Sequence, residues 1–203
     1  MSTEGTSRPD DVRLDAKNLR GLAHPVRVRL LGLLRHDGPA TATQLAERLE
    51  LSSAATSYHL RQLAQYGFIT EDVGRGQPRE RWWKAAHRAT TMDLREAATD
   101  PESAAASEIY LRSVAQAYAS QLLAAVDEMP HRPEPWVGRG TLSDLDLQLT
   151  PEQADELTER MWDVVESYQR SDDPEQTSER APAEGTARVT VQLQVFPRPG
   201  TFR

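Results

Sequence analysis

The sequence predicts a mainly α chain, with a three-helix core closed by a β-hairpin over residues 12–90 and a long helix followed by a small α/β region over 100–203. Three observations carry this expectation. From Leu19 to Lys84 apolar residues recur at helical spacing in short blocks punctuated by proline, glycine and capping residues. The last block gives way to two strand-like runs around Gly74-Arg75-Gly76-Gln77-Pro78. Beyond residue 100 a long apolar stripe precedes two alternating segments that flank an amphipathic helix.

Residues 1–11 are polar and expected to be mobile. A helix is expected over 12–23, with Leu19 and Leu22 inward. His24-Pro25 interrupts it, because proline suits the first position of a helix and not its interior. The next helix carries Val26, Leu30, Leu33 and Leu34 and stops at His36-Asp37-Gly38-Pro39. Thr41-Ala42-Thr43-Gln44 reads as a capping box, the threonine accepting from a free backbone amide and Gln44 reaching back. It opens a short helix with Leu45, Ala46 and Leu49 inward. Ser52 caps another helix that runs to about Tyr66 and is closed by Gly67. Strands are expected over 68–73 and 79–85, with one tryptophan of Trp82-Trp83 packing the hairpin onto the helices.

A polar connection through about Thr99 leads to Asp100-Pro101-Glu102, which supplies a cap, a first-turn proline and an early acid. The long helix is expected over 101–129, with Leu111, Val114, Tyr118, Leu122, Val126 and Met129 on one stripe. Such a stripe must be covered; self-association is the economical answer, and packing within one subunit the plainer one. A proline-rich loop over 130–140 contains Trp136. A strand–helix–strand unit is expected over 142–197. In it Leu145, Leu147 and Leu149 alternate with polar residues, as do Val189, Val191, Leu193 and Val195. Between them Thr150-Pro151-Glu152-Gln153 caps a helix with Ala154, Leu157, Met161, Val164, Val165 and Tyr168 inward. Residues 171–187 are charged, small and proline-bearing, so a disordered linker is expected there. Two strands alone are marginal, so a neighbouring element or the second subunit should complete the sheet. This unit is also the candidate seat of a small-molecule effector, although no residue in it marks a ligand.

Composition narrows the function. With no cysteine in 203 residues there is no disulfide, thiolate metal site or cysteine nucleophile. The N-terminus lacks the basic and apolar regions of a secretory signal. No run approaches the roughly 18 apolar residues that span a bilayer, so a soluble, cytoplasmic protein without a membrane partner is expected. The net charge is −7, yet residues 1–90 hold 14 Lys+Arg against 10 Asp+Glu while the remainder holds 10 against 21. The acidity therefore lies outside the helix-and-hairpin segment. No nucleophile-elbow spacing, phosphate loop or dinucleotide fingerprint occurs, so neither an enzyme nor a cofactor is expected.

In a helix-turn-helix the first helix braces the second, whose N-terminal residues lie near base edges in the major groove. The helix after Ser52 suits this use. Thr56, Leu60 and Leu63 form a packing face, with Ala55 and His59 beside them. Ser53, Ala54, Ser57, Tyr58 and Arg61 fall on the opposite side, where hydroxyls, a methyl group and a guanidinium can meet base edges or phosphate. Arg75, Arg79 and Arg81 surround the hairpin tip, where guanidinium groups can follow a phosphate ladder or enter the minor groove. Thr43, Ser52, His59 and Gln77 complete the candidate DNA-contacting set.

The stretches LAHPVRVRLLGLL, ATATQLAERLELSSAATSYHLRQLAQYGFI and GRGQPRERWW, in that order, resemble the ArsR family of winged helix-turn-helix regulators over about residues 14–86. The resemblance implies a homodimeric, sequence-specific binder of double-stranded DNA, usually a repressor on a promoter palindrome, released by an effector. It places recognition roles on Ser53, Ala54, Ser57, Tyr58 and Arg61, and wing contacts on Arg75 and its neighbours. The chain departs from the thiolate-sensing pattern, because Thr43-Gln44-Leu45-Ala46-Glu47 stands where a Cys-Val-Cys-like element would. His131 is the sole histidine after His87, so no metal site is expected.

Plainer readings apply to several residues. His59 is more simply packed or phosphate-facing than a ligand, Arg27 and Arg29 more simply ion-paired than bound to phosphate, and 152–159 a solvated acidic face. Two other classes stay open: a winged helix used for protein–protein assembly, and a small-molecule-binding protein with ancillary DNA binding. The hairpin tip discriminates, since a protein-binding winged helix need not keep arginines there.

Overall fold

The structure, a computed structural model, describes residues 11–76, 80–93, 99–169 and 185–202. It divides into two compact units, residues 1–123 and 124–203. In chain order the first runs β1 (Asp11–Leu14), α1 (Ala16–Leu22), α2 (Pro25–His36), β2 (Ala40–Thr41), α3 (Ala42–Leu49), α4 (Ser53–Gln65), β3 (Ile69–Glu71), β4 (Trp82–Ala85), β5 (Ala89–Met92) and most of α5 (Pro101–Asp127). This is a winged helix-turn-helix with a long helix after it.

The helix expected over 12–23 starts late. Asp15 accepts hydrogen bonds from the Lys17 and Asn18 amides, and Asn18 Oδ1 accepts from the Asp15 N–H. That reciprocal cap fixes the first turn of α1 and leaves Val12 and Leu14 to β1. β1 pairs in parallel with β5, Asp11 opposite Ala89 and Leu14 opposite Met92. The polar connection expected after the hairpin therefore contains a strand.

The other helix boundaries follow their local chemistry. Pro25 opens α2, and His24 caps it by accepting from the Val26 N–H at 3.2 Å. Thr41 and Gln44 form the expected capping box of α3. The turn into α4 has no glycine; Glu50 takes the left-handed conformation at φ 55°, and Leu51 N–H returns to Ala46 C=O. Ser52 Oγ accepts from the Ala55 N–H at the start of α4. At its end Gly67, at φ 79°, allows Phe68 N–H to reach Leu63 C=O and Gly67 N–H to reach Ala64 C=O. This is the glycine-closed C-terminus of a helix.

β4 is central in a three-stranded antiparallel sheet of order β2-β4-β3, with Ala40 opposite Trp83 and Ile69 opposite Ala85. Leu30, Leu45, Leu60, Leu63 and Phe68 are wholly buried between the helices and this sheet, and Trp83 joins the same core. Gly21 sits where α1 meets the end of α4: a Cβ there would lie 2.6 Å from Tyr66 Cγ. From the end of α2, Arg35 donates to His87 C=O at 3.0 Å and to Thr90 Oγ1 at 2.8 Å, tying the segment after the hairpin to the core.

α5 begins as expected, with Asp100 accepting from the Ser103 N–H. Its buried face is unexpected. Ser103, Ala106, Ser107 and Ser113 are covered, and the Ser107 and Ser113 hydroxyls donate to carbonyls one turn back on the same helix. Tyr110 packs beside this face, where burial pushes its phenol up to about 12. Leu111, Tyr118, Leu122 and Val126 are exposed and Val114 is half-buried, so the apolar stripe is left uncovered.

The second unit contains two 3₁₀ turns, Met129–His131 and Glu134–Trp136, and α6 (Pro151–Gln169). Ala154, Leu157, Met161 and Val165 of α6 are half-buried, whereas Val164 and Tyr168, expected inward, are exposed. Neither expected strand forms: residues 141–150 and 186–198 carry no ladder pairing. The reason is the one that makes two isolated strands marginal, namely too little apolar cover for one face. The expected linker over 171–187 lies outside the described residues except at 185–187. Among the described residues no helix is long and apolar enough to cross a membrane.

Candidate nucleic-acid interface

The interface is built on α4. Thr56, Leu60 and Leu63 are buried, which fixes the rotation of the helix about its axis. Ser53, Ala54 and Arg61 are exposed, Tyr58 is 55 % exposed, and Ser57 is half-buried. The structure thus brings all five expected reading residues to one outward side. Ser52 is exposed but its hydroxyl is engaged in capping α4. Arg61 Nε donates to Ser57 C=O at 3.1 Å, and among the described residues no carboxylate pairs with it.

Beside this face lies a cleft of about 630 Å³ between α3, α4 and β4. Thr43 and Gln44 at the start of α3, Ser57 and Arg61 on α4, and Glu80 and Arg81 with Trp82 from the hairpin line it. Its α3 and α4 walls, with polar side chains, a helix N-terminus and Arg61, suit a phosphate, while Glu80 lines the hairpin side and Arg81 there is paired with Glu71.

The hairpin departs from the expected cationic tip. Arg75 is held by Asp72 at 3.0 Å and lies 5.4 Å from the Trp82 ring centroid. Lys84 reaches the same Asp72 at 3.0 Å, and Arg81 pairs with Glu71 at 3.1 Å. Lys84 and Arg75 hold the Asp72 carboxyl below the usual carboxylate range. Residues 69–85 hold four basic side chains and three acidic ones, so the wing is close to neutral. The arginine pattern conceals the acids Glu71 and Asp72, which take up this charge from the strand across from Arg81 and Lys84; their nearness to the basic residues in the sequence was the available signal. Gln77 and Arg79 lie outside the described residues. Gly76, at φ 75°, lets the tip close over Trp82, since a Cβ there would overlap the indole nitrogen. Trp83 is the tryptophan that packs into the core.

The opposite flank of α4 carries a histidine pair. His59 packs against His24 with ring centroids 4.5 Å apart, and Tyr58 meets His59 edge-on. His59 therefore faces the start of α2 rather than the reading side. Burial, followed by Arg27, lowers the His24 pKa, and burial, followed by His24 and Arg27, lowers that of His59. His24 also needs an unprotonated Nδ1 to cap α2. Unfolded histidines take up protons near 6.5 and the folded pair only at lower pH, so stability falls as pH drops from about 6.5 through the folded values. Chemical-denaturation midpoints at pH 7.5, 6.5 and 5.5 are expected to decline in the wild type. A His24→Asn/His59→Gln variant, which keeps a good cap, should decline less; an equal decline refutes the assignment.

A family model for a helix-turn-helix domain matches residues 22–72, the span from the end of α1 through β3. The chain carries a helix-turn-helix domain. This supports a DNA-binding regulator, because the second helix of such a domain is the one that enters the groove. Among solved structures, the chain is similar to a double mutant of Lactococcus lactis ZitR in its apo form, at 15 % identity over 75 % of this chain and 86 % of that one, with a TM-score of 0.31. It is also similar to AbfR in its disulfide-formed state, at 16 % identity over 58 % and 80 % of the two chains, with a TM-score of 0.26. No curated protein matches the sequence.

Proposed function

We propose that this chain is a cytoplasmic, homodimeric transcription regulator of the ArsR type that represses by occupying a promoter palindrome and lacks a thiolate metal-sensing site. The observation that carries the reading is the helix-turn-helix domain whose second helix exposes Ser53, Ala54, Tyr58 and Arg61, with Ser57 half-buried among them, while burying Thr56, Leu60 and Leu63. The uncovered stripe of α5, with Leu111, Tyr118 and Leu122 exposed, supports a dimer contact along that helix. A two-fold dimer would set its reading helices about 34–36 Å apart, matching half-sites one helical turn apart.

Selection of bound duplexes from a random pool tests this. The expected winner is an inverted repeat, bound with an affinity that falls linearly on a log–log salt plot at about −0.9 per neutralised phosphate. Recovery of no preferred duplex would remove the reading. The ion-paired, near-neutral wing favours a second reading in that event, a winged helix used for protein–protein assembly.

A further inference from the structure

Among the described residues, none after Ser113 is fully buried. The second unit therefore has an amphipathic helix and two alternating segments but no closed core of its own. Leu145 is 84 % exposed, Val189 66 % and Tyr168 77 %, and Leu147, Val164 and Val191 are also uncovered. An exposed run of alternating apolar residues that belongs to no ladder is a surface prepared for strand pairing. We infer that residues 142–149 and 189–196 form a sheet with the same segments of a second copy of this chain. The inference deepens the proposed dimer and rests on it, and adds a contact made by residues other than those of α5.

Three arguments favour a second copy as occupant. Each chain brings two strands and one helix, which is marginal; two copies bring four strands and two helices, enough for a sheet with a covered face. The two segments are complementary in charge. Asp144 and Asp146 lie on one and Arg198 borders the other, and within one chain Arg198 meets Asp146 at 2.9 Å, which shows that the two segments attract by charge. A copy related by a two-fold brings the matching set, as a self-complementary interface requires. The area also fits. At roughly 100 Å² for each mostly exposed Leu, Val or aromatic side chain, the ten or so on this unit leave on the order of 1,000 Å² per chain, against about 800 Å² per partner in a stable interface.

The test uses the full chain, by sedimentation velocity and amide hydrogen exchange across a dilution series. Expected is a dimer in which amides of 142–149 and 189–196 are protected, with protection lost on dilution to monomer. A Leu147→Lys/Val191→Lys variant should dimerise at least about a hundredfold more weakly, while Gln148→Lys, on the polar side of the alternation, should not. Unchanged protection of α2–α4 amides shows that the variant remains folded. A dimer with these segments unprotected, protection that survives in the monomer, or an undiminished dimer in the double variant each overturns the inference. Selection of a palindromic duplex alongside any of those results would leave the DNA reading standing; protected segments without a selected duplex would sink that reading alone.

Discussion

Leu60→Ala is expected to lower the unfolding free energy by about 2–5 kcal/mol, the range for emptying a buried leucine site. Leu60 is 0 % exposed and lies with Leu63 and Phe68 at the centre of the core. The loss combines the transfer free energy of the removed methyl groups with the cavity left behind. In a domain of this size it corresponds to a fall in Tm of roughly 4–8 °C per kcal/mol. The consequence reaches function, because the same contacts set the rotation of α4. Arg61, one residue along and about 100° around the helix, is exposed. Arg61→Ala should therefore change stability by no more than about 0.5 kcal/mol. Thermal melts of the two variants check the pair of statements. A Leu60→Ala protein as stable as wild type would mean that α4 is not anchored through this face.

The contrast between neighbours shows why this part of the fold was readable. The starts and stops of α2, α3 and α4 depend on residues within four positions of one another: Pro25, the Thr41–Gln44 box, Ser52 and Gly67. Periodicity then separates Leu60 from Arg61 without tertiary knowledge. β1 and β5 were not readable for the opposite reason, since Asp11 meets Ala89 only after α1 to β4 have folded between them and neither segment alternates strongly enough to declare itself. The Asp15–Asn18 cap could have signalled the late start of α1, as it has the same reciprocal logic as Thr41–Gln44.

The wing and α5 illustrate a different limit. Arg75 and Arg81 are conspicuous in the sequence, but whether their charge is available depends on cross-hairpin partners, and Asp72 and Glu71 take up much of it. Counting only cations overstates a wing. In α5 the apolar stripe was legible, while the buried serines were not, because a helix hides hydroxyl groups by donating them to its own carbonyls. The alternation of 142–149 and 189–196 was likewise legible, yet a period of two specifies only a face. Pairing needs neighbours, and among the described residues none pairs with either segment.

Arg61→Ala is expected to weaken binding to all duplexes alike, by about tenfold at moderate salt, as for the loss of one charge-assisted hydrogen bond. Arg61 lies in the third turn of α4, behind the N-terminal residues that approach base edges in this type of domain. It also lines the cleft that Thr43 and Gln44 enter from α3, a position suited to a backbone phosphate. The slope of log affinity against log salt should accordingly become shallower by about 0.9, one phosphate's worth. Arg75→Ala should change the slope less, because Asp72 already offsets that charge. Ser57→Ala/Tyr58→Ala should instead alter which site is selected, since those residues stand nearer the start of the helix on its outward side. An Arg61→Ala protein that selects a different base at one position would make Arg61 a base reader; one with unchanged affinity and slope would turn this face of α4 away from DNA altogether.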